Sequence, residues 1–282
     1  MADMAWQTDG WEWISRQGIH WAQDSRLMGT GMVKQGFLGR LGGISAQPYA
    51  SLNLGFGSGD DRPAVMENRR RVAEALDLPL HRWSCLKQVH ETTVMKITAK
   101  EANLGAMEPG TLLPRADAQI TDEAGVILVT QHADCLPLYL LDPAKPAIGL
   151  AHAGWRGTLQ NIAGVLVAAM TAHFGSKPAD LLAAVGPGAG SCHYEVDEPV
   201  LEAAERCFQT FPGALRQILT PSANPGRAYI DLGSANAFLL EKSGVPAGQI
   251  SVSGICTICE NHRVYSYRMK DRGRQAAFFS LR

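Results

Sequence analysis

The sequence predicts an α+β fold, a single domain of mixed β-sheets flanked by helices. Three observations carry this expectation. Short apolar runs, Val126 to Val129, Leu136 to Leu141 and Ala147 to Ala151, are bounded by Asp, Pro and Gly and have the length of buried strands. Stretches of near-helical apolar spacing interleave with such runs along the whole chain. The 282 residues, 46% hydrophobic and 19% charged, show no repeat or low-complexity linker and suffice for one substantial core.

The first 33 residues read as a tryptophan-rich extension, with indoles at Trp6, Trp11, Trp13 and Trp21, and residues 34–282 as the body of the fold. The indoles either pack on the body or form an interaction patch. No basic segment leads into an apolar core here, so a secretory signal is not expected. Gly36 to Gly59, dense in Gly, Ser and Asn, reads as turns with short strands. Asp60 or Asp61 then caps a helix through about Asp77, on which Arg69, Arg70 and Arg71 form a solvated face. Residues 85–97 suggest a strand interrupted near His90, and Glu101 to Pro114 a loop. A helix from about Thr158 stops at Gly175, Leu181 to Val185 is another buried strand, and further helices cover Glu198 to Phe208 and the segment from Asp231 to Gly244. Ile250 to Ile255 is a strand, and the C-terminus reads as a strand pair.

Composition excludes some functions. A formal net charge of -1 provides no bulk attraction to nucleic acid or anionic lipid. No apolar run approaches the roughly 20 residues that span a bilayer. Six cysteines, at 85, 135, 192, 207, 256 and 259, lack the spacing of a secreted framework and fit a reducing, cytoplasmic setting.

Chemistry concentrates around the organising strands. His90, Cys135 and His152 each lie at or near a strand end, and a thiolate with two imidazoles is a catalytic zinc donor set with one position left open. The same residues allow a metal-free reading, with Cys135 as nucleophile, His152 as base and Asp134 orienting it. Each is also compatible with a buried thiol or a hydrogen-bonded core histidine. Gly186 to Gly190 lacks the G-K-[ST] of a phosphate loop and reads as a tight connection. Cys256-Thr257-Ile258-Cys259 is a lone C-x-x-C without a second pair, which argues against a zinc ribbon.

Several segments, in order, carry a resemblance: GFLGRLGGIS-AQPYASLNLG, DDRPAVMENRRRVAEALDLP, KQVH, ADCLPLYLLD, AIGLAHAGWRGT, VGPGAG-SCHYEV and SYR near the end. Together they resemble the YfiH-like family, also called multicopper polyphenol oxidase or laccase-domain proteins, from about Gly36 to Arg282. The resemblance implies a layered sandwich of mixed sheets and helices. It also implies a catalytic zinc on the His of Q-V-H, the Cys of A-D-C and the His of H-A-G-W-R-G, here His90, Cys135 and His152, with copper as a possible substitute. The implied activity is purine nucleoside phosphorolysis, in which adenosine or inosine plus phosphate gives base and ribose 1-phosphate. Methylthioadenosine phosphorolysis and adenosine deamination are attributed to the same site. A bacterial branch is linked to editing of peptidoglycan precursors, and an older label is polyphenol oxidation.

Phosphorolysis needs a dianion held against a sugar carbon that becomes cationic, and a leaving purine that accepts charge or a proton. Arg40, Arg156 and Arg268, with Lys87 behind them, are the candidate phosphate ligands in the matching segments. Arg40, Asp134 and His132 are also carried as candidate catalytic residues. Oxidation of phenols by a multicopper centre normally calls on about ten His, and this chain has 8, several remote from any motif. His132 stands where the family usually has Thr. It is a fourth ligand, a proton shuttle, a partner to a ligand, or a hydrogen-bonded histidine without a catalytic part. A cysteine hydrolase and a non-enzymatic interaction module using the N-terminal indoles are the alternatives from other classes.

Overall fold

The computed structural model describes residues 10–108 and 113–282. The N-terminal stretch opens with β1 (Trp11–Arg16) and β2 (Ile19–Asp24), a two-residue hairpin at Gln17-Gly18, both of positive φ. Asp24 accepts from the Leu27 backbone N–H and so caps α1 (Ser25–Gly29), and β3 (Val33–Leu38) returns antiparallel to β2. Residues 11–24 are therefore two strands of the same sheet as the body. Trp21 is buried, Trp11 stacks near Tyr139, Trp13 lies under Arg263, and Trp6 falls outside the described residues.

Asp61 caps α2 (Arg62–Leu76), with Pro63 in its first turn and Asp77 closing it in the left-handed region. The basic triplet on this helix is not one solvated face. Arg69 is 1% exposed and donates to the carbonyls of Leu54, Gly105 and Ala106, tying the glycine-rich segment to a distant loop. Arg70 and Arg71 remain outside, near Glu67. The expected strand over 85–97 is two strands in two sheets, β4 (Trp83–Cys85) and β5 (Val94–Lys96), with the His90 loop bridging them.

Then come β6 (Ala118–Thr121), β7 (Ile127–His132), β8 (Leu136–Asp142) and β9 (Ala147–Ala153). Short α3 (Trp155–Leu159) leads into α4 (Ile162–Phe174), which Asn161 caps and Gly175 ends. Beyond are β10 (Leu182–Val185), β11 (Glu195–Val196), α5 (Glu198–Phe208), α6 (Pro212–Ile218), β12 (Leu219–Pro221) and β13 (Ala228–Ile230). Last come α7 (Leu232–Lys242), capped by Asp231, β14 (Ile250–Val252) and β15 (Gln275–Leu281). The C-terminus thus supplies one strand, not a pair. Its preceding residues 253–274 form turns.

One six-stranded sheet has the order β1-β2-β3-β15-β7-β4, the other β14-β10-β8-β9-β6-β5, and a small third sheet is β11-β13-β12. The two large sheets pack face to face, and helices cover their outer faces. Period-two alternation shows this directly. Tyr139, Leu141, Ile148 and Leu150 meet Phe37, Leu128, Ala277 and Phe279 between the sheets. Leu138 and Leu140 point the other way, to Ile162, Leu166 and Met170 of α4 and to α7. Ala276 and Phe278 face Val72 and Ala75 of α2. Strands buried on both faces need no polar positions, which is why these runs are continuously apolar. Among the described residues no helix is long and apolar enough to cross a membrane.

Candidate metal centre and its cleft

β7 and β8 are consecutive in sequence but belong to opposite sheets. Ala133-Asp134-Cys135 must cross from one to the other, and Asp134 does so at φ +86°, a conformation that a residue other than Gly adopts only when fixed by its surroundings. Its carboxylate is fixed on both oxygens. Oδ1 accepts from the Thr257 hydroxyl at 2.7 Å and Oδ2 from the Arg268 backbone N–H at 2.8 Å. The crossing delivers Cys135 beside His152, the penultimate residue of β9, whose partner on β8 is Pro137. The His90 loop closes the group from a third direction.

Donor atoms of His90, Cys135 and His152 all lie within 4.8 Å of one another. The His90 and His152 rings meet edge to face, with centroids 5.0 Å apart. Gly154 makes this possible, because a Cβ there would stand 2.9 Å from Cys135 Sγ and 3.2 Å from the His90 ring. One carboxylate absent from the sequence reading holds the His152 imidazole and the backbone of the His90 loop. Asp117, immediately before β6 and 1% exposed, takes the Nδ1–H of His152 on Oδ1 at 2.9 Å. It also accepts the backbone N–H groups of Val89, His90 and Glu91 at 3.0, 3.0 and 2.9 Å. These bonds hold His90 at φ +63° and leave His152 Nε2 as the nitrogen that faces Cys135. Asp117, not Asp134, therefore orients His152.

The electrostatics suit a cation. Burial acts to raise the Cys135 thiol, but the neighbouring His152, and then His90, outweigh it and bring it down to about 6. Burial acts to lower His152, but the Cys135 thiolate and Asp117 outweigh it and raise it to about 9. Thiolate and carboxylate are thus held with one imidazolium between them. A divalent ion would replace that proton.

His132 is in the neighbourhood and does not join the trio. It is 1% exposed, and its Nδ1 donates to the Cys135 carbonyl at 2.9 Å, which leaves Nε2 to accept from the Thr130 hydroxyl at 2.8 Å. Its ring packs between Phe37 and His152, at 5.6 and 5.3 Å between centroids. Burial, then the charge on His152, push its pKa well below the ordinary value, so it stays neutral. Both of its nitrogens are engaged in this arrangement, and neither is grouped with the donor atoms of the trio.

The trio forms the floor of an open cleft of about 830 Å³. Lys87, Arg156 and Arg268 line it, as does Arg274, which the sequence reading passed over. Phe56, Trp155, Tyr194 and Tyr267 supply aromatic walls, with Arg156 lying over Trp155 and Arg268 over Tyr194 at 4.2 and 4.5 Å. Arg40 is elsewhere. It pairs with Asp271 at 3.1 Å, donates to the carbonyls of Asn261 and Ala50, and lies over the Tyr265 ring. It is a brace for the chain around 261–271 and has no part in the cleft lining.

Comparison with known proteins gives a consistent result. Residues 34–282 match the family described as multi-copper polyphenol oxidoreductase laccase. Purine nucleoside phosphorylase YlmD of Geobacillus stearothermophilus is 41% identical over 251 residues, 86% of this chain and 87% of that protein. The crystal structure of YlmD from Geobacillus stearothermophilus superposes with a TM-score of 0.85 at 37% identity, covering 95% of this chain and 98% of that one. The Bacillus licheniformis protein YfiH superposes with a TM-score of 0.88 at 33% identity, over 97% and 100% of the two chains.

Proposed function

The chain belongs to the multi-copper polyphenol oxidoreductase laccase family, and from that membership and the cleft we propose that it is a zinc-dependent purine nucleoside phosphorylase. The relative named purine nucleoside phosphorylase YlmD supports the reaction class. The observation that carries the reading is a Cys/His/His donor set, held by one carboxylate, at the floor of a cleft with cationic and aromatic walls.

His90, Cys135 and His152 would hold the metal. The donor set fits it: three ligands, one already ionised at neutral pH, one imidazole with its outer nitrogen fixed by Asp117, and a glycine that keeps the space between them open. When bound, zinc supplies a Lewis acid that polarises an oxygen or acidifies water, and copper is a possible substitute. Arg156, Arg268, Arg274 and Lys87 would bind the phosphate dianion and hold it against the ribose carbon. The faces of Phe56, Trp155, Tyr194 or Tyr267 would be the surfaces on which a purine stacks. Methylthioadenosine phosphorolysis and adenosine deamination fit the same cleft. The Lewis acidity that zinc would supply on His90, Cys135 and His152 is what deamination would also call on.

One observation favours a second reading. A thiol brought down to about 6 by a histidine that a buried carboxylate orients is also a Cys-His-Asp nucleophile arrangement. A cysteine hydrolase, acting for example on peptidoglycan precursors, would use it. The test is metal-assayed protein with adenosine, with and without phosphate, for wild type and Cys135→Ala. Phosphate-dependent adenine and ribose 1-phosphate, lost together with bound zinc in the variant, are expected. Inosine formed without phosphate makes deamination the main chemistry. No turnover of nucleosides by protein that carries no zinc overturns the proposal in favour of the hydrolase.

A further inference from the structure

The lone C-x-x-C is not alone in space. The turn after β10 and the turn after β14 run side by side: Gly188 N–H donates to the Ile255 carbonyl at 3.2 Å, and Thr257 N–H to the Gly188 carbonyl at 2.9 Å. This pairing sets Cys192 and His193 against Cys256 and Cys259, and the four donor atoms lie within 4.8 Å of one another. We propose that Cys192, His193, Cys256 and Cys259 form a second, structural zinc site that staples these two turns together.

Three of the edges between these donor atoms are close to those a tetrahedral zinc requires. Zn–S and Zn–N bonds of about 2.3 and 2.0 Å require S···S edges of about 3.8 Å and S···N edges of about 3.5 Å. Cys192 Sγ and Cys259 Sγ are 3.6 Å apart, and His193 Nδ1 is 3.2 Å from the first and 3.4 Å from the second. A disulfide needs its sulfurs at about 2.05 Å, so this separation is nearer to a shared ion than to a bond. The donor set is also that of a closed structural site: three Cys and one His, four protein donors in all, with Cys256 and Cys259 at C-x₂-C spacing.

Two further observations point to a sulfur ligand. Cys256 Sγ accepts the backbone N–H of Gly190 at 3.3 Å. A backbone N–H aimed at the sulfur orients it and favours its thiolate form. Gly190 packs directly on the group: a Cβ there would be 3.3 Å from Cys256 Sγ and 3.4 Å from Cys192 Sγ. Each thiol would release its proton to water on binding.

The staple lies behind the cleft. Tyr194, next to His193, is a cleft wall, and Thr257, inside the C-x-x-C, holds the Asp134 carboxylate beside Cys135. The second metal would therefore set the position of a wall and of the strand crossing, without touching substrate.

The experiment is metal analysis of full-length protein purified under reductant, for wild type, Cys135→Ala, Cys192→Ser, Cys259→Ser and His193→Ala. About two zinc ions per chain are expected in wild type, and about one in each variant. Cobalt(II) loaded into Cys135→Ala should show thiolate-to-cobalt charge-transfer bands, absent when Cys259→Ser is added. The two centres fail separately. If only the trio binds zinc, wild type and Cys259→Ser carry the same single ion, and the proposal is overturned. If only the staple does, Cys135→Ala keeps the wild-type content. Cys192 and His193 are exposed, so their variants should fold and keep the wild-type circular dichroism. A Cys192–Cys259 disulfide in the isolated protein, with no zinc uptake after reduction, also overturns it.

Discussion

Asp117→Asn tests whether one carboxylate organises the centre. The side chain accepts four hydrogen bonds, two on each oxygen: His90 N–H and His152 Nδ1–H on Oδ1, Val89 N–H and Glu91 N–H on Oδ2. Asparagine keeps the shape but turns one acceptor into a donor. Whichever way the amide faces, two buried donors meet an N–H₂ group. At about 1–3 kcal/mol for each unsatisfied donor, the total penalty is about 2–6 kcal/mol, shared between the fold and the site. With Oδ1 retained, the His90 loop loosens. With Oδ2 retained, His152 loses its orientation. Loss of such a ligand partner costs about 10–100-fold in metal affinity. The assay is zinc affinity by competition with a chromophoric chelator, together with thermal unfolding of zinc-loaded and stripped protein. Zinc affinity within a factor of two of wild type would refute the reasoning. A lowered melting temperature alone would show that Asp117 serves only the loop.

Other consequences follow from the same geometry. In zinc-stripped protein, alkylation of Cys135 should rise through pH about 6 instead of the ordinary thiol value near 9: the lowered pKa keeps the thiolate above pH 6 and loses it below, and removing the charge with His152→Ala should move the midpoint upward. His132→Phe should keep full zinc content, because its nitrogens are engaged by the Cys135 carbonyl and the Thr130 hydroxyl and not by the trio's donor atoms, while losing about 1–3 kcal/mol of stability from those two groups left without partners. Reduced zinc content at unchanged fold would make it a ligand partner after all. Arg268→Ala and Arg156→Ala should raise the KM for phosphate, whereas Arg40→Ala should lower the melting temperature by the loss of a half-buried ion pair and leave that KM alone. Phosphate saturation curves on the three variants decide this. Arg69→Met, which strands three backbone carbonyls under α2, should destabilise by about 2–4 kcal/mol in denaturant titration.

The strands were legible because they are buried on both faces: 127–132, 136–142 and 147–153 are observed where 126–129, 136–141 and 147–151 were expected. Helix limits were legible from caps, Asp61 and Asp231 at two starts and Gly175 at one stop. What sequence spacing does not carry is which sheet a strand joins. The expected strand over 85–97 is instead 83–85 and 94–96 in opposite sheets, because the segment between them makes one isolated bridge, Lys87 with Arg115, and is then pinned to Asp117. The same blindness affected the carboxylates. Asp134 adjoins Cys135 in sequence, yet its side chain turns away to Thr257, while Asp117 reaches His152 through the antiparallel pairing of β6 with β9.

Arg69, Arg40 and Asp134 share a physical pattern that explains these misreadings. Each takes most of its partners from backbone atoms or a distant hydroxyl, which leave no trace in residue type, and Arg40 adds only the Asp271 carboxylate. Charged side chains that hold irregular backbone are needed here because the cleft is built from loops between two sheets, and loops lack a ladder to satisfy their own N–H and C=O groups. The glycine-rich segment around 40–60 relies on Arg40, Asn68 and Arg69, the His90 loop on Asp117, and the strand crossing on Asp134. The turns at 188–194 and 255–259 are the cleft's remaining support. Their mutual hydrogen bonds bring together three thiols and an imidazole, where a metal ion would take the part that a carboxylate or guanidinium takes in the other loops. A wall that carries Tyr194 then gains its rigidity from sulfur and nitrogen ligands, and removing either centre's metal should loosen the cleft from a different side.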